Sequence, residues 1–563
     1  MTYRAPLSDI ETTLALVGAD RLAETPLFAE ATADMRAAIL GEAARMAEEA
    51  LAPLQRNGDL HPARLENGVV RTSPGFGDGF RAIADGGWVG ISASPEHGGM
   101  GLPLTFATVV NEMSASACLS LSLCPLMSQG QIEALEHHAS DEIKATYLPK
   151  LISGEWTGTM NLTEPQAGSD VGALRSKAEP NGDGSFAISG QKIYISWGDN
   201  DFATNVCHLV LARLPDAAPG TKGVSLFIVP KFIPNEAGEP GERNSLSVVS
   251  LEHKLGLHGS PTAVMEYDGA KGWLVGPEHG GMAAMFTMMN NARLGVATEG
   301  LGVAEAAFQK ALAYAVDRKQ GRTPTGAPGI VDHADVRRML MTMKALTATA
   351  RAICLDTALS LDMARAAEET DRAAWKARGA FLTPIAKAFS TDIGNEVAHL
   401  GVQVHGGMGF VEETGAAQFS RDVRVTAIYE GTNGIQAMDL VGRKLMDGGE
   451  AAKALLAEID PDALGDWGGL VASAKAQIAE ATDWMLDAPE INDRFAGAAP
   501  YLRAWALLIG GWRLAEAATK DAARAPLADF HIRQMLPQVP GLLAAATAGA
   551  APLYALDADA LAG

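Results

Sequence analysis

The sequence predicts an α+β protein whose helical and β segments are segregated along the chain, and three observations predict it. Segments with apolar residues three and four apart dominate the first part. Alternating and β-branched runs then take over near Trp156, and the helical period returns from Met282 onward. At 563 residues with 47% hydrophobic content, the chain has ample material for cores and is too long for one compact domain. The resulting division is an N-terminal helical domain (1–155), a β domain (156–278), a second helical domain (279–445) and a further helical extension (446–563).

Residues 28–52 are rich in Ala, Glu, Met and Arg at helical spacing, and residues 106–123 and 132–151 continue the pattern, with Pro, Gly and Asp at the joins. In the middle, Phe186-Ala187-Ile188, Lys192-Ile193-Tyr194-Ile195, His208-Leu209-Val210-Leu211 and Val224-Ser225-Leu226-Phe227-Ile228-Val229 read as strands separated by Gly, Asn, Asp and Pro clusters. Two long helices are expected over 334–366 and 370–404, and amphipathic Ala-rich helices over 470–486 and 501–523. His-Gly-Gly-Met recurs at His97, His279 and His405 with unequal spacing and unlike flanks, which is turn composition and not an internal repeat.

A net charge of -22, spread without a basic block, repels nucleic acid and anionic membranes, so neither is expected as a partner. Cys118, Cys124, Cys207 and Cys354 form no CxxC pair and no zinc-ligand spacing, which fits buried thiols in a reducing compartment and no metal site. The first twenty or so residues are acidic and lack a long apolar core, unlike a secretory signal. The apolar stretch 542–556 is broken by Pro552 and shorter than a bilayer requires. A cytoplasmic protein is expected.

The most informative feature is Glu430 in Tyr429-Glu430-Gly431-Thr432-Asn433-Gly434, a small-residue turn after the apolar and β-branched residues 423–428. Such a turn can hold a general base against a flat cofactor, although a solvated cap or turn carboxylate has the same local signature. A second segment, Met160-Asn161-Leu162-Thr163-Glu164-Pro165-Gln166-Ala167-Gly168-Ser169-Asp170, precedes Gly190-Gln191-Lys192-Ile193-Tyr194-Ile195-Ser196. No G-x-G-x-x-G follows a strand to open a helix, so a Rossmann dinucleotide site is not supported.

Together with Pro95-Glu96-His97-Gly98-Gly99-Met100-Gly101, Lys254-Leu255-Gly256, Asn291-Ala292-Arg293, Gln403-Val404-His405-Gly406-Gly407-Met408-Gly409 and Arg421-Asp422, these motifs occur in the order of the acyl-CoA dehydrogenase family, which the chain resembles over most of residues 1–445. The Tyr3-Arg4-Ala5-Pro6 opening and the helical tail look most like a branch of that family with a C-terminal extension. The resemblance implies a four-helix-bundle-type domain at 279–445 and FAD held between the helical and β domains. It also implies an acyl-CoA substrate, an electron-transfer flavoprotein as redox partner, and a homodimer.

Desaturating an acyl thioester requires a base for a weakly acidic α-proton, a hydride acceptor beside Cβ, and donors on the thioester oxygen. The resemblance makes Glu430 the base and its backbone amide, with a flavin ribityl hydroxyl, the holder of that oxygen. Some relatives place the base one residue before the arginine matching Arg293, where this chain has Ala292. Glu299, further along that helix, reads as a helix-surface or interdomain carboxylate. Leu162, Thr163, Tyr194 and Ser196 match residues lining the isoalloxazine ring, although strand termini of ordinary β propensity read the same way.

By the same resemblance Ser169 lies near the acyl-CoA chain, while a plain turn serine is the alternative. Arg318, Gln403, Gly406 and Gly407 look like the groups that reach the FAD diphosphate and adenosine across a dimer interface, and Thr432 like a further cofactor contact. An arginine fork suits a diphosphate, but Asp317-Arg318-Lys319-Gln320-Gly321-Arg322 leaves Arg318 and Arg322 as alternatives. Arg293 is either a surface cation or a group shaping the active site. Met282, Met285, Met288 and Met289 are core filler at near-helical spacing or a thioether-lined pocket. The expected activity is FAD-dependent α,β-desaturation of a short acyl-CoA. An ordinary straight-chain dehydrogenase, an oxidase using dioxygen and a flavin-carrying binding protein are the alternatives.

Overall fold

The computed structural model describes residues 3–324 and 326–563. In chain order, α1 (Leu7–Val17), α2 (Ala33–Met46), α3 (Leu54–Leu60), the hairpin β1 (Arg64–Glu66) and β2 (Val69–Arg71), α4 (Phe76–Asp85), α5 (Leu104–His138) and α6 (Asp141–Ile152) come first. The β segment follows as β3 (Trp156–Asn161), β4 (Lys177–Pro180), β5 (Phe186–Ser196), β6 (Asn205–Arg213), β7 (Val224–Pro230), β8 (Phe232–Pro234), β9 (Pro240–Arg243), β10 (Leu246–Leu251) and β11 (Thr262–Val275). Helices return as α7 (Gly281–Asp317), α8 (Ala334–Ala366), α9 (Glu369–His405), α10 (Gly407–Phe410), α11 (Ala416–Val423) and α12 (Asn433–Asp439). The extension carries α13 (Glu450–Glu458), α14 (Gly468–Asp487), α15 (Ile491–Lys520), α16 (Ala525–Phe530), α17 (Val539–Ala546) and α18 (Ala558–Ala562). This is the α+β architecture expected, helical at both ends around a sheet. The contacts group into two compact units, Gly41–Gly295 and Tyr3–Leu40 with Val296–Gly563.

In the unit Gly41–Gly295 a seven-stranded sheet runs in the order β10-β11-β5-β4-β6-β3, with β7 joined to both β11 and β6. Most pairs are antiparallel, and β3 lies parallel to β6. Ile188, Val210, Phe227, Val229, Met265 and Tyr267 pack one face into a core that the hairpin residue Val70 joins. The long side β5 to β11 slips register where Ala263 faces Ile195 and Met265 faces Lys192, so Ile193 and Tyr194 stand opposite Val264 alone. This bulge turns Tyr194 into the left-handed region (φ 60°) and leaves its ring 62% exposed.

Beneath the sheet, α5 packs on β3 and bends at Cys118, and Ser120 O on this helix accepts a hydrogen bond from Trp197 Nε1 at 3.2 Å. The helix continues to His138, past the break expected after residue 123. The stop lies instead at Ser140, whose hydroxyl caps α6 by accepting from Ile143 N. α5 is long and apolar enough to cross a membrane, but 94% of its apolar window is buried inside the protein, which makes it a core helix. All four cysteines are buried, and none is in a disulfide.

In the other unit α8 and α9 form the central antiparallel-type pair, close to the spans that helical periodicity marks. α7 approaches α9 at a glycine step: a Cβ on Gly300 would lie 2.5 Å from Ser390 O, and one on Gly394 would lie 2.8 Å from Gly300 O. No side chain fits between backbones this close, so Gly300→Ala is expected to lower stability by about 1–3 kcal/mol, read as a lower thermal midpoint. Further along the same seam the rings of Tyr314 and His405 stack at 4.4 Å. The extension docks on this pair through α15: Trp505 meets Phe381 edge-on at 5.0 Å, and Arg513 joins Arg378 on the buried carboxylate of Asp356.

Candidate active site

Residues 423–428 form the end of α11 followed by a 3-10 turn, Arg424–Ala427. The chain then turns sharply, with Glu430 at φ 55° and Gly431 at φ 85°. A glutamate in the left-handed region costs on the order of 1 kcal/mol or more, so the surroundings must impose it. They do so with three bonds from two helices. Lys387 Nζ on α9 donates to Gly431 O at 2.8 Å and to Asn433 Oδ1 at 2.9 Å, and Gln436 Nε2 on α12 donates to Glu430 O at 3.2 Å. Thr432 Oγ1 caps α12 by accepting from Ile435 N, which leaves its O–H available to a ligand. Glu430 itself is half-buried.

Directly before it, the Tyr429 phenol donates to Glu299 Oε2. Glu299 is therefore not the surface carboxylate that its helical setting suggested: it is 3% exposed, on α7, facing the Glu430 turn. Burial pushes its pKa up to about 8, assisted by the charge of Glu430 and opposed by the Tyr429 hydrogen bond and Lys387. Helical spacing carried the signal, because Val296, Glu299 and Val303 share one face and both valines are buried. Lys387, 0% exposed in α9 between Ala386 and Ala388, was missed in the same way.

Of the residues matched to the diphosphate and adenosine, Gln403, Gly406 and Gly407 close α9, and Arg318 follows α7 directly. The Tyr314–His405 stack brings these two helix ends together. Gly406 adopts φ 59°, and open space lies where a Cβ would stand at both glycines. Arg318 and Arg322 are exposed, and among the described residues neither enters an ion pair. Both guanidinium groups therefore stay available, and the pair remains equivalent on geometry.

In the unit Gly41–Gly295, Ile193 N bonds Thr163 O at 2.9 Å, which sets Leu162 and Thr163 alongside β5 next to the exposed Tyr194 and half-buried Ser196. A buried ion pair holds this loop: Lys192 Nζ donates to Leu162 O at 3.1 Å and to Glu164 Oε1 at 2.8 Å. Ser169 is exposed on the same loop. Arg293, 8% exposed on α7, is not a surface cation. Met285 and Met288 are fully buried core residues. Among the described residues no group of His, Cys, Asp and Glu is placed to hold a metal.

The chain matches the N-terminal (residues 30–155), middle (159–270) and C-terminal (279–446) domains of acyl-CoA dehydrogenase, and an acetyl-CoA dehydrogenase C-terminal-like domain at 449–557. It belongs to the acyl-CoA dehydrogenase family, FAD-dependent oxidoreductases acting on acyl-CoA. Among individual relatives, it is 46% identical to the 3-methylmercaptopropionyl-CoA dehydrogenase of Ruegeria pomeroyi, over 94% of each chain. The acyl-CoA dehydrogenase of Bacillus anthracis complexed with FAD shares the fold, with TM-score 0.75 and 21% identity over 96% of this chain and 91% of that one. A chain of the structure of the electron transferring flavoprotein of Acidaminococcus fermentans matches at 25% identity and TM-score 0.61, covering 73% of this chain and 97% of that one.

The donor set fits FAD. In one unit an aromatic ring stands exposed on a strained bulge, and in the other open glycine backbone adjoins Arg318 and Arg322, whose side chains enter no ion pair among the described residues. Both arrangements leave groups unused by the fold itself.

Proposed function

We propose that the protein desaturates a short acyl-CoA between Cα and Cβ, with 3-methylmercaptopropionyl-CoA as substrate and Glu430 as the base. The observation that carries this reading is the pinned left-handed turn, which presents a half-buried carboxylate at a backbone cost. The substrate follows from the 46% relative, whose likeness extends through the C-terminal extension.

FAD, when bound, supplies the acceptor for the hydride that leaves Cβ. Leu162, Thr163, Tyr194 and Ser196 would line its ring, and Thr432 would contact the cofactor through its hydroxyl. Arg318 or Arg322, with Gln403, Gly406 and Gly407, binds its diphosphate and adenosine end in a cytoplasmic homodimer. Ser169 and Arg293 border the acyl-CoA. Glu430 accepts the α-proton while its backbone amide donates to the thioester oxygen, where negative charge collects. Electrons then pass to an electron-transfer flavoprotein, a reading supported by the Acidaminococcus match.

Anaerobic titration of the yellow holoprotein tests this reading. The expected outcome is loss of the visible flavin band with 3-methylmercaptopropionyl-CoA at near-stoichiometric amounts, more readily than with butyryl-CoA. Stronger bleaching by butyryl-CoA would reassign the substrate, and no bleaching by any short acyl-CoA would remove the dehydrogenase reading.

A further inference from the structure

Glu299 has a chemistry that the desaturation of an acyl-CoA does not by itself require. Its Oε2 accepts the Tyr429 phenol, while Oε1 is buried with no hydrogen-bond partner among the described residues. A carboxylate oxygen left bare in an apolar setting is costly, whereas a protonated one is not. The groups that face it are few. From the turn come Tyr429 and Glu430, and from α9 comes Lys387, whose amino group is already engaged by Gly431 O and Asn433 Oδ1. Asp392, also on α9, accepts from Asn433 Nδ2 at 2.6 Å and extends the same network. Glu299 is thus bonded to the tyrosine that directly precedes Glu430 in the turn.

We propose that Glu299 is a positioning residue for Glu430: it anchors the phenol that precedes the base and, as the more deeply buried of two like-charged carboxyls, leaves the ionised form to Glu430. The inference rests on the reading of Glu430 as base. Two carboxyls this near share a coupled titration, in which the first proton lost comes from the better solvated group. Glu299, held up to about 8 by burial and by the charge of Glu430, is the member of the pair that keeps its proton at neutral pH. Above about pH 8 Glu299 ionises, and the added charge makes Glu430 hold a proton more tightly, so the base strength changes at that pH. The Tyr429 hydrogen bond favours the ionised form of Glu299, so its removal moves that step upward.

Difference infrared spectroscopy of the substrate-free holoprotein, together with the pH profile of kcat measured with an artificial acceptor, tests the proposal. In the natural protein a carboxylic-acid C=O band present at pH 7 disappears near pH 8, and kcat shows an inflection there. Glu299→Gln abolishes both, and Tyr429→Phe shifts both to higher pH. A band untouched by Glu299→Gln, or an inflection that survives it, overturns the proposal. Where Glu299→Gln does not fold, an unshifted band in Tyr429→Phe overturns it instead. Bleaching of the natural protein by acyl-CoA is read separately, so a failure here is distinct from a failure of the base assignment.

Discussion

Glu430→Gln is expected to lower kcat by roughly 10²- to 10⁴-fold, the range over which a positioned general base acts, while flavin content stays that of the natural protein. An amide of the same size cannot take the α-proton. The turn is held by bonds that the substitution leaves alone, since Lys387 reaches Gly431 O, Gln436 reaches the backbone oxygen of residue 430, and Thr432 caps α12. Flavin absorbance and thermal midpoint should therefore be unaltered while the rate of flavin reduction collapses in stopped flow. Reduction within tenfold of the natural rate would show that another group accepts the proton. Glu299, on the far side of the Tyr429 hydrogen bond, is 3% exposed and already bonded to Tyr429, so it is poorly placed to substitute.

The sequence was most legible where local signals agree. The spans of α8 and α9 follow from helical periodicity, and the strand runs around Ile188, Val210 and Phe227 supply the buried face of the sheet. The break between α5 and α6 follows from a cap, Ser140, that outweighed composition in placing it. What pattern reading hides is charge inside a periodic face. Glu299 and Lys387 lie at positions whose neighbours one helical turn away are buried, yet the habit of assigning charge to solvent discards that information. The bulge that exposes Tyr194 depends on which residue of β11 it opposes, a long-range fact absent from the local run Lys192-Ile193-Tyr194-Ile195.

Lys192→Met is expected to destabilise the unit Gly41–Gly295 by about 3–5 kcal/mol, the usual effect of removing one partner from a buried ion pair. Lys192 is 0% and Glu164 4% exposed, so neither charge has water to fall back on. The carboxylate also accepts from Ser176 N at 3.0 Å, Ser176 Oγ at 2.6 Å and Arg175 N at 2.6 Å, all of which tie the Leu162-Thr163-Glu164 segment to the start of β4. Burial alone would raise the Glu164 pKa, but the Lys192 charge and these bonds overcome it and bring the value down to about 2. A carboxyl whose folded pKa is depressed contributes stability above its unfolded value, here 4.5, and loses that contribution as pH falls through about 2. Without Lys192 the loss sets in at higher pH, so acid unfolding of Lys192→Met should begin closer to pH 4.5. Because Lys192 is two residues from Tyr194 and bonds Leu162 O, flavin retention should fall with stability. The double variant Lys192→Met with Glu164→Gln removes both charges together and should regain much of the single variant's loss, as two coupled partners do in a mutant cycle. A Lys192→Met protein that melts like the natural one and keeps its flavin would mean that the loop bonds alone hold the edge of the cofactor site.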